Sequence, residues 1–238
     1  MEKYYRIANL NVRMNSFGRT LKQAESYRIP EPDRTDICIS SQAEYVKSRY
    51  PGCSEDLAEY MGSGMDFYKK LSEFDGFMLH ASAVAADGRA YLFSADPGTG
   101  KSTHTRLWLN LFGSRAYIIN DDKPAVRLEN GVWYAYGTPW SGKYDISADR
   151  GVPIAGIAMI ERAENNEIYP FSGAEAIRQI LAQVNRSRSR EHSVRLLYLL
   201  DKLMTTVPIW KLKCNMDIEA AVLSYEAMSG EKFIKQET

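Results

Sequence analysis

RAYLFSADPGTGKST, residues 89–103, passes from strand to loop to helix start. Ala90, Tyr91, Leu92, Phe93 and Ser94 have strand character, Ala95 to Gly100 form a loop, and Lys101, Ser102 and Thr103 open a helical pattern. Gly98 and Gly100 accept positive φ and carry no Cβ, so successive backbone N–H groups can turn inward around a phosphate. The phosphate then rests on a helix N-terminus, where unpaired N–H groups and the positive dipole end favour an anion. Lys101 adds a mobile charge for β and γ phosphates, and the Ser102 hydroxyl is placed to ligate Mg²⁺. The expected nucleotide contacts are therefore Gly98, Thr99, Gly100, Lys101, Ser102 and Thr103. In the pattern G-x-x-x-x-G-K-[ST], the first position is Ala95 instead of glycine. The apolar strand before the loop and the helix after it supply the context the pattern requires.

Working outward, FMLHASAV (residues 77–84) reads as a strand, with Ala86, Asp87 and Gly88 as a hairpin turn back into the strand that feeds the loop. An antiparallel partner for that strand implies a mixed sheet. The helix runs from Lys101 to Phe112 with Leu107, Leu109, Leu111 and Phe112, Trp108 beside them, and stops at Gly113. AYIIN (residues 116–120) is a short buried strand that ends at Asp121 and Asp122. A second hairpin turns at Asn130 and Gly131. The loop TPWSGK follows, then an apolar strand at 152–160, a turn at Asn165 and Asn166, helices at 174–184 and 193–203, a strand at 207–214, and a helix capped by Asp217.

Upstream, residues 4–14 alternate as one or two strands and TDICIS is another. Residues 41–50 suit a helix with Tyr45 and Val46 inward. Ser54, Glu55 and Asp56 start a helix carrying Leu57, Tyr60, Met61, Met65, Tyr68 and Leu71. The expected division is a small α+β region over 1–75 and an α/β, mixed-sheet phosphate-loop domain over 76–238.

The composition of the 238-residue chain limits its partners. Thirty basic residues balance thirty acidic ones, so no global field draws nucleic acid or an anionic membrane. No apolar run approaches the roughly 20 residues a bilayer requires, and a cytoplasmic location follows by default. Cys38, Cys53 and Cys214 lack metal spacing and read as reduced, partly buried thiols instead of a disulfide framework or zinc site.

Asp121 and Asp122 lie about twenty residues beyond Lys101, after one helix and one strand, so the strand end can return beside the loop. One carboxylate there can bind the Mg²⁺ held by Ser102, and the other can accept a hydroxyl proton. A histidine in a strand (His80), a hairpin, the run Gly98 to Ser102, and IINDD together resemble the catalytic domain of HPr serine kinase/phosphorylase, related in fold to ATP-dependent phosphoenolpyruvate carboxykinase. The DDKPA and GTPWSGK segments resemble a compact HPr-kinase-like subfamily, some members of which act in peptide tailoring. The resemblance covers residue 77 to about 126, and more loosely the segment to 228. It implies ATP and Mg²⁺, a serine hydroxyl of a protein or peptide as acceptor, and a possible homo-oligomer. By position it implies phosphates on Lys101, Mg²⁺ on Ser102 and Asp122, and Asp121 as general base with His80 close to it. Thr103 stands where HPr kinases usually carry glutamate.

Other residues keep two readings. Lys143, in the tight turn Trp140–Ser141–Gly142–Lys143, either clamps a phosphate or belongs to an exposed loop with an aromatic plug. Arg150 with Gly151 loosely resembles an arginine-glycine pair of the HPr kinase family, and the resemblance implies a phosphate contact there. His104 is structural or near the nucleotide rim. Arg186, Arg188 and Arg190 form a solvated face or dock an acidic peptide. Rival functions are a carboxykinase-like or small-molecule phosphotransferase and a nucleotide-gated binding module without turnover.

Overall fold

The computed structural model describes residues 3–184 and 189–234. The chain opens with β1 (Lys3–Ile7), β2 (Leu10–Met14), α1 (Gly18–Ala24), β3 (Arg28–Ile29), β4 (Ile37–Ile39), α2 (Ala43–Arg49) and α3 (Glu55–Leu71). These strands make a four-stranded sheet in the order β3-β1-β2-β4. Then follow β5 (Gly76–Met78), β6 (Ala81–Ala86), β7 (Arg89–Ser94), α4 (Lys101–Phe112), β8 (Ala116–Asn120), β9 (Ala125–Glu129) and β10 (Val132–Tyr136). The last elements are β11 (Gly151–Arg162), β12 (Glu167–Pro170), α5 (Gly173–Ala182), α6 (Arg190–Thr206), β13 (Ile209–Cys214) and α7 (Ile218–Ser229).

The second sheet runs β5-β9-β10-β11-β7-β6-β8, with β13 added to β11 and β12 to β13. It is mixed: β7 pairs antiparallel with β6 and parallel with β11. Strand alternation divides its side chains between two faces. Ala90 and Leu92 of β7, with Ile157 and Met159 of β11, enter a core closed by Ile180 of α5 and Leu196, Leu199 and Leu203 of α6. Tyr91 and Phe93, with Ala158 and Ile160, face Trp108 and Phe112 of α4 and Tyr225 and Met228 of α7. The sheet is thus covered on both faces, and β7 delivers the loop of residues 95–100 between two helical layers.

The N-terminal sheet and α3 have a core of their own that does not stop at residue 75. Tyr5, Ile7, Val12 and Phe67 share one apolar cluster with Ala125, Tyr136 and Trp140. No described helix is long and apolar enough to cross a membrane.

Several local expectations change. The apolar run at 77–84 is two strands, because β5 pairs with β9 while β6 pairs with β7 and β8. Between them Leu79 bridges to Val184 and the His80 N–H donates to the Gln183 carbonyl at 2.7 Å. In α2, Val46 is buried and Tyr45 exposed, since adjacent helical positions differ by about 100°. The short edge strand β12 ends in Pro170, and the turn expected at Asn165 and Asn166 leads into it. Asp217 stands at the N-cap of α7 without a side-chain capping bond; its carboxylate accepts from Asn215 Nδ2 at 2.9 Å. Trp108, not the flanking leucines, is the fully buried apolar anchor of α4.

His104 is structural. Its ring lies 4.4 Å from that of Phe93, and Nε2 lies 3.0 Å from Ser224 Oγ and 3.3 Å from Trp108 Nε1. Burial pushes its pKa down to about 3. Above the unfolded value of about 6.5 neither state takes up this proton; below it only the unfolded chain does, down to the folded value. Stability should therefore fall by about 1.4 kcal/mol per pH unit on this account as pH drops from about 6 toward 3. His104→Gln should flatten that slope in denaturant midpoints measured against pH.

Candidate active site

Gly98 and Gly100 have φ of +80° and +120°, and a Cβ at either would meet nothing within 4 Å. Backbone conformation, not crowding, is what calls for glycine there. Ala95 is absent from the positive-φ residues, so alanine occupies the first loop position without strain. The loop ends at the N-cap Gly100, and His104 N–H makes the first bond of α4 to its carbonyl at 2.9 Å. Lys101 is buried, and its Nζ donates to the carbonyls of Ala95 at 2.9 Å and Asp96 at 3.3 Å. Burial lowers its pKa, and the carboxylates of Asp122, Asp96 and Asp121 oppose the shift. A phosphate entering the loop offers this ammonium better acceptors than two neutral carbonyls.

Arg162, at the end of β11, grips the loop from outside. Its Nε donates to the Thr99 carbonyl at 2.9 Å and a second guanidinium nitrogen to that of Gly98. Its distance along the chain, and the absence of any motif around it, hide this role in the sequence.

The carboxylate pair arrives as expected at the end of β8, but its two members face different neighbours. Asp121 Oδ1 accepts from Ser82 Oγ at 2.6 Å, and that hydroxyl lies 2.8 Å from Thr105 Oγ1. With the Ser82 proton given to Asp121, the Thr105 hydroxyl is the donor to Ser82 Oγ, which ties Asp121 to α4. Asp122 Oδ1 lies 3.5 Å from His80 Nε2, and Oδ2 is paired with Lys123. His80 therefore accompanies Asp122, not Asp121, because consecutive side chains leaving a strand point to opposite sides. Burial, then the charge of Lys101, lowers the His80 pKa, while Asp122 and the bond to Gln183 Oε1 act the other way. The turn itself is held by fully buried Asn120, whose Oδ1 accepts the N–H groups of Asp122 at 3.0 Å and Lys123 at 2.7 Å.

The loop over residues 138–143 is built as a plug. Trp140 is buried, and Gly142 is held from three sides of the N-terminal region: its carbonyl accepts from Arg19 and from Gln23 Nε2 at 3.1 Å, and its N–H donates to Tyr60 Oη at 3.0 Å. Lys143 is exposed, its ammonium 5.7 Å from the Tyr144 ring. Arg150 lies over Tyr117, 5.1 Å from the ring centre. Tyr117 pairs with Ala85, whereas Ser94 at the loop end of β7 pairs with Ala81. Four strand positions, about 13 Å, separate Arg150's neighbour from the loop. Arg186 and Arg188 lie outside the described residues; Arg190 is exposed at the start of α6.

Gly142 has φ of +79°, and a Cβ there would stand 2.9 Å from Asp122 Cβ. Gly142→Ala should cost about 1–2 kcal/mol through backbone strain. By displacing Asp122 it should also lower any turnover that depends on that carboxylate by about 10- to 100-fold, measured as initial rate beside a melting curve.

Among the described residues no group of three or more His, Cys, Asp or Glu side chains forms a metal cage. The available donors are oxygens: the Ser102 hydroxyl and the two carboxylates. That set suits Mg²⁺, which binds through one or two carboxylates together with waters and substrate phosphates. A cleft of about 680 Å³ lined by Asp96, Thr99, Arg162, Gln183 and Lys211 opens on one side of the loop. A second of about 400 Å³ lies beside Thr103, Leu107, Asn215 and Met216.

No protein-family model matches the sequence, and comparison with curated proteins gives no match. Among solved structures the chain is similar to the Hpr(Ser) kinase/phosphatase from Coxiella burnetii, at 11% identity and a TM-score of 0.37, over 65% of this chain and 99% of that one. A likeness of that depth leaves function to the geometry of this site.

Proposed function

We propose that the protein is an Mg²⁺- and ATP-dependent kinase that phosphorylates a hydroxyl, with serine of a protein or peptide as acceptor. The observation that carries this reading is the buried Lys101 ammonium. It lies within the fields of Asp122, Asp96 and Asp121 and inside a glycine-containing loop at a helix N-terminus. A cation so placed, with carboxylates opposite, suits an ATP triphosphate and its divalent ion.

In the reaction the acceptor oxygen bonds to Pγ as the bond from Pγ to the β–γ bridging oxygen breaks, and ADP leaves. The hydroxyl proton passes to a carboxylate. The His80 Nε2 atom 3.5 Å from its carboxylate favours Asp122 for that task, and the tie from Asp121 to α4 favours Asp121 with Ser102 on the metal side. This exchanges the two roles implied by the family resemblance. Mg²⁺, when bound, neutralises charge on the phosphate oxygens. Gly98, Gly100 and Thr103 supply backbone donors, Thr99, whose N–H bonds the Asp96 carbonyl at 3.2 Å, closes the loop around the phosphates, and the pocket beside Thr103 takes the nucleoside.

The test is incubation with γ-labelled ATP, Mg²⁺ and a panel of serine-bearing peptides and cell extract. Label on a hydroxyl, lost in Lys101→Ala, supports the proposal. Calorimetry showing no ATP binding at millimolar concentration would overturn it, and binding without ADP release across all acceptors would favour a binding module.

A further inference from the structure

Gln183, at the C-terminal end of α5, is a buried polar side chain that the proposed phosphoryl transfer does not use directly. It touches both halves of the site. Its Nε2 donates to Asp96 Oδ1 in the phosphate loop at 2.8 Å, and its Oε1 lies 3.1 Å from His80 Nδ1. Its backbone carbonyl also accepts the His80 backbone N–H at 2.7 Å, so His80 is tied to Gln183 once through its main chain and once through its ring.

These contacts fix where a proton sits. An ionised carboxylate only accepts, so the amide face turned to Asp96 must be the NH₂ group. The face turned to His80 is then the carbonyl oxygen, which also only accepts. Nδ1 must therefore carry the hydrogen. In a neutral imidazole this leaves Nε2 with its lone pair exposed. Nε2 is the atom 3.5 Å from Asp122 Oδ1, so two proton acceptors face one another across a gap beside Lys123.

We infer that Gln183 is a positioning residue: it selects the Nδ1–H tautomer of His80, aims the free Nε2 at the space shared with Asp122, and couples that choice to the phosphate loop through Asp96. A hydroxyl proton entering this space meets two acceptors and no competing donor from the imidazole. The kinetic part of the inference rests on the phosphoryl-transfer reading above; the tautomer does not.

The chain contains 3 histidines, so each imidazole is resolvable in long-range ¹H–¹⁵N spectra, with His80→Gln assigning its signals. At about pH 8, where an ordinary imidazole is neutral, the whole protein should show His80 as the Nδ1–H tautomer. Gln183→Leu should shift it toward Nε2–H and lower kcat about tenfold, with the ATP KM changed less than about twofold, the split expected of a group acting on proton acceptance. Asp96→Ala, on an exposed side chain, frees the amide to rotate and should relax the tautomer in the same direction, which keeps the test available if Gln183→Leu does not fold. Asp96→Asn retains an oxygen acceptor for the amide and should retain the tautomer. An Nε2–H signal for His80 in the unmodified protein overturns the inference, as does an unmoved tautomer in both Gln183→Leu and Asp96→Ala. A protein inactive on every acceptor would defeat the kinase reading and still answer the tautomer question.

Discussion

Asp122→Asn is expected to lower the turnover of phosphoryl transfer by about 100- to 1000-fold, the 3–4 kcal/mol that one preorganised group contributes to a barrier. ATP affinity should remain near that of the unmodified protein, because the carboxylate acts on the acceptor's proton and makes no bond to the nucleotide. Lys101→Ala should behave differently and lose affinity as well as turnover, since its ammonium is the full charge inside the loop. Asp121→Asn should raise the Mg²⁺ concentration needed for half-maximal rate, because that carboxylate is held toward α4 through Ser82 and Thr105. Single-turnover rates combined with ATP and Mg²⁺ titrations separate the three. Undiminished transfer by Lys101→Ala would refute the site. If instead Asp121→Asn stopped turnover with an unchanged Mg²⁺ requirement while Asp122→Asn shifted that requirement, the two aspartates would hold the opposite roles.

The readable part of this molecule is the part whose signals are local. The strand, loop and helix of residues 89–112 follow from a change of residue type along the chain, and the helix bounds Lys101–Phe112 and strand bounds Ala116–Asn120 match the expected ones. Ser54 caps α3 as its sequence context suggests, accepting from the Leu57 N–H at 3.2 Å. What stayed hidden is long-range. The run FMLHASAV carries no breaker, and it divides only because β9 claims its first part and β7 its last. Gln183 reaches His80 across 103 positions and Arg162 reaches the loop across more than 60. Neither lies in a motif, because the side chain that completes a hydrogen-bond pair need only arrive in space. The clasp of Arg19, Gln23 and Tyr60 on Gly142 is of the same kind, and it shows the N-terminal region bracing the acidic pair instead of standing apart.

That bracing can be released at one residue. Trp140 is 1% exposed, stacks on Phe67 with ring centres 4.8 Å apart, meets the edge of Tyr68 at 5.6 Å, and donates from Nε1 to Ser63 Oγ at 3.2 Å. The indole lies so close to α3 that a Cβ at Gly64 would come within 2.8 Å of its Cδ1. Removing it leaves a cavity against a helix that cannot collapse into it without moving the shared core. Trp140→Ala should therefore cost about 3–5 kcal/mol, read as a lower denaturant midpoint at unchanged slope. Turnover should fall as well at temperatures where the variant is fully folded, because Gly142 and the Thr138 hydroxyl that donates to the Lys123 carbonyl at 3.0 Å belong to the same loop. A purely structural Trp140 would lower the midpoint and leave the folded protein's rate intact. Loss of both ties the N-terminal core to the position of Asp122.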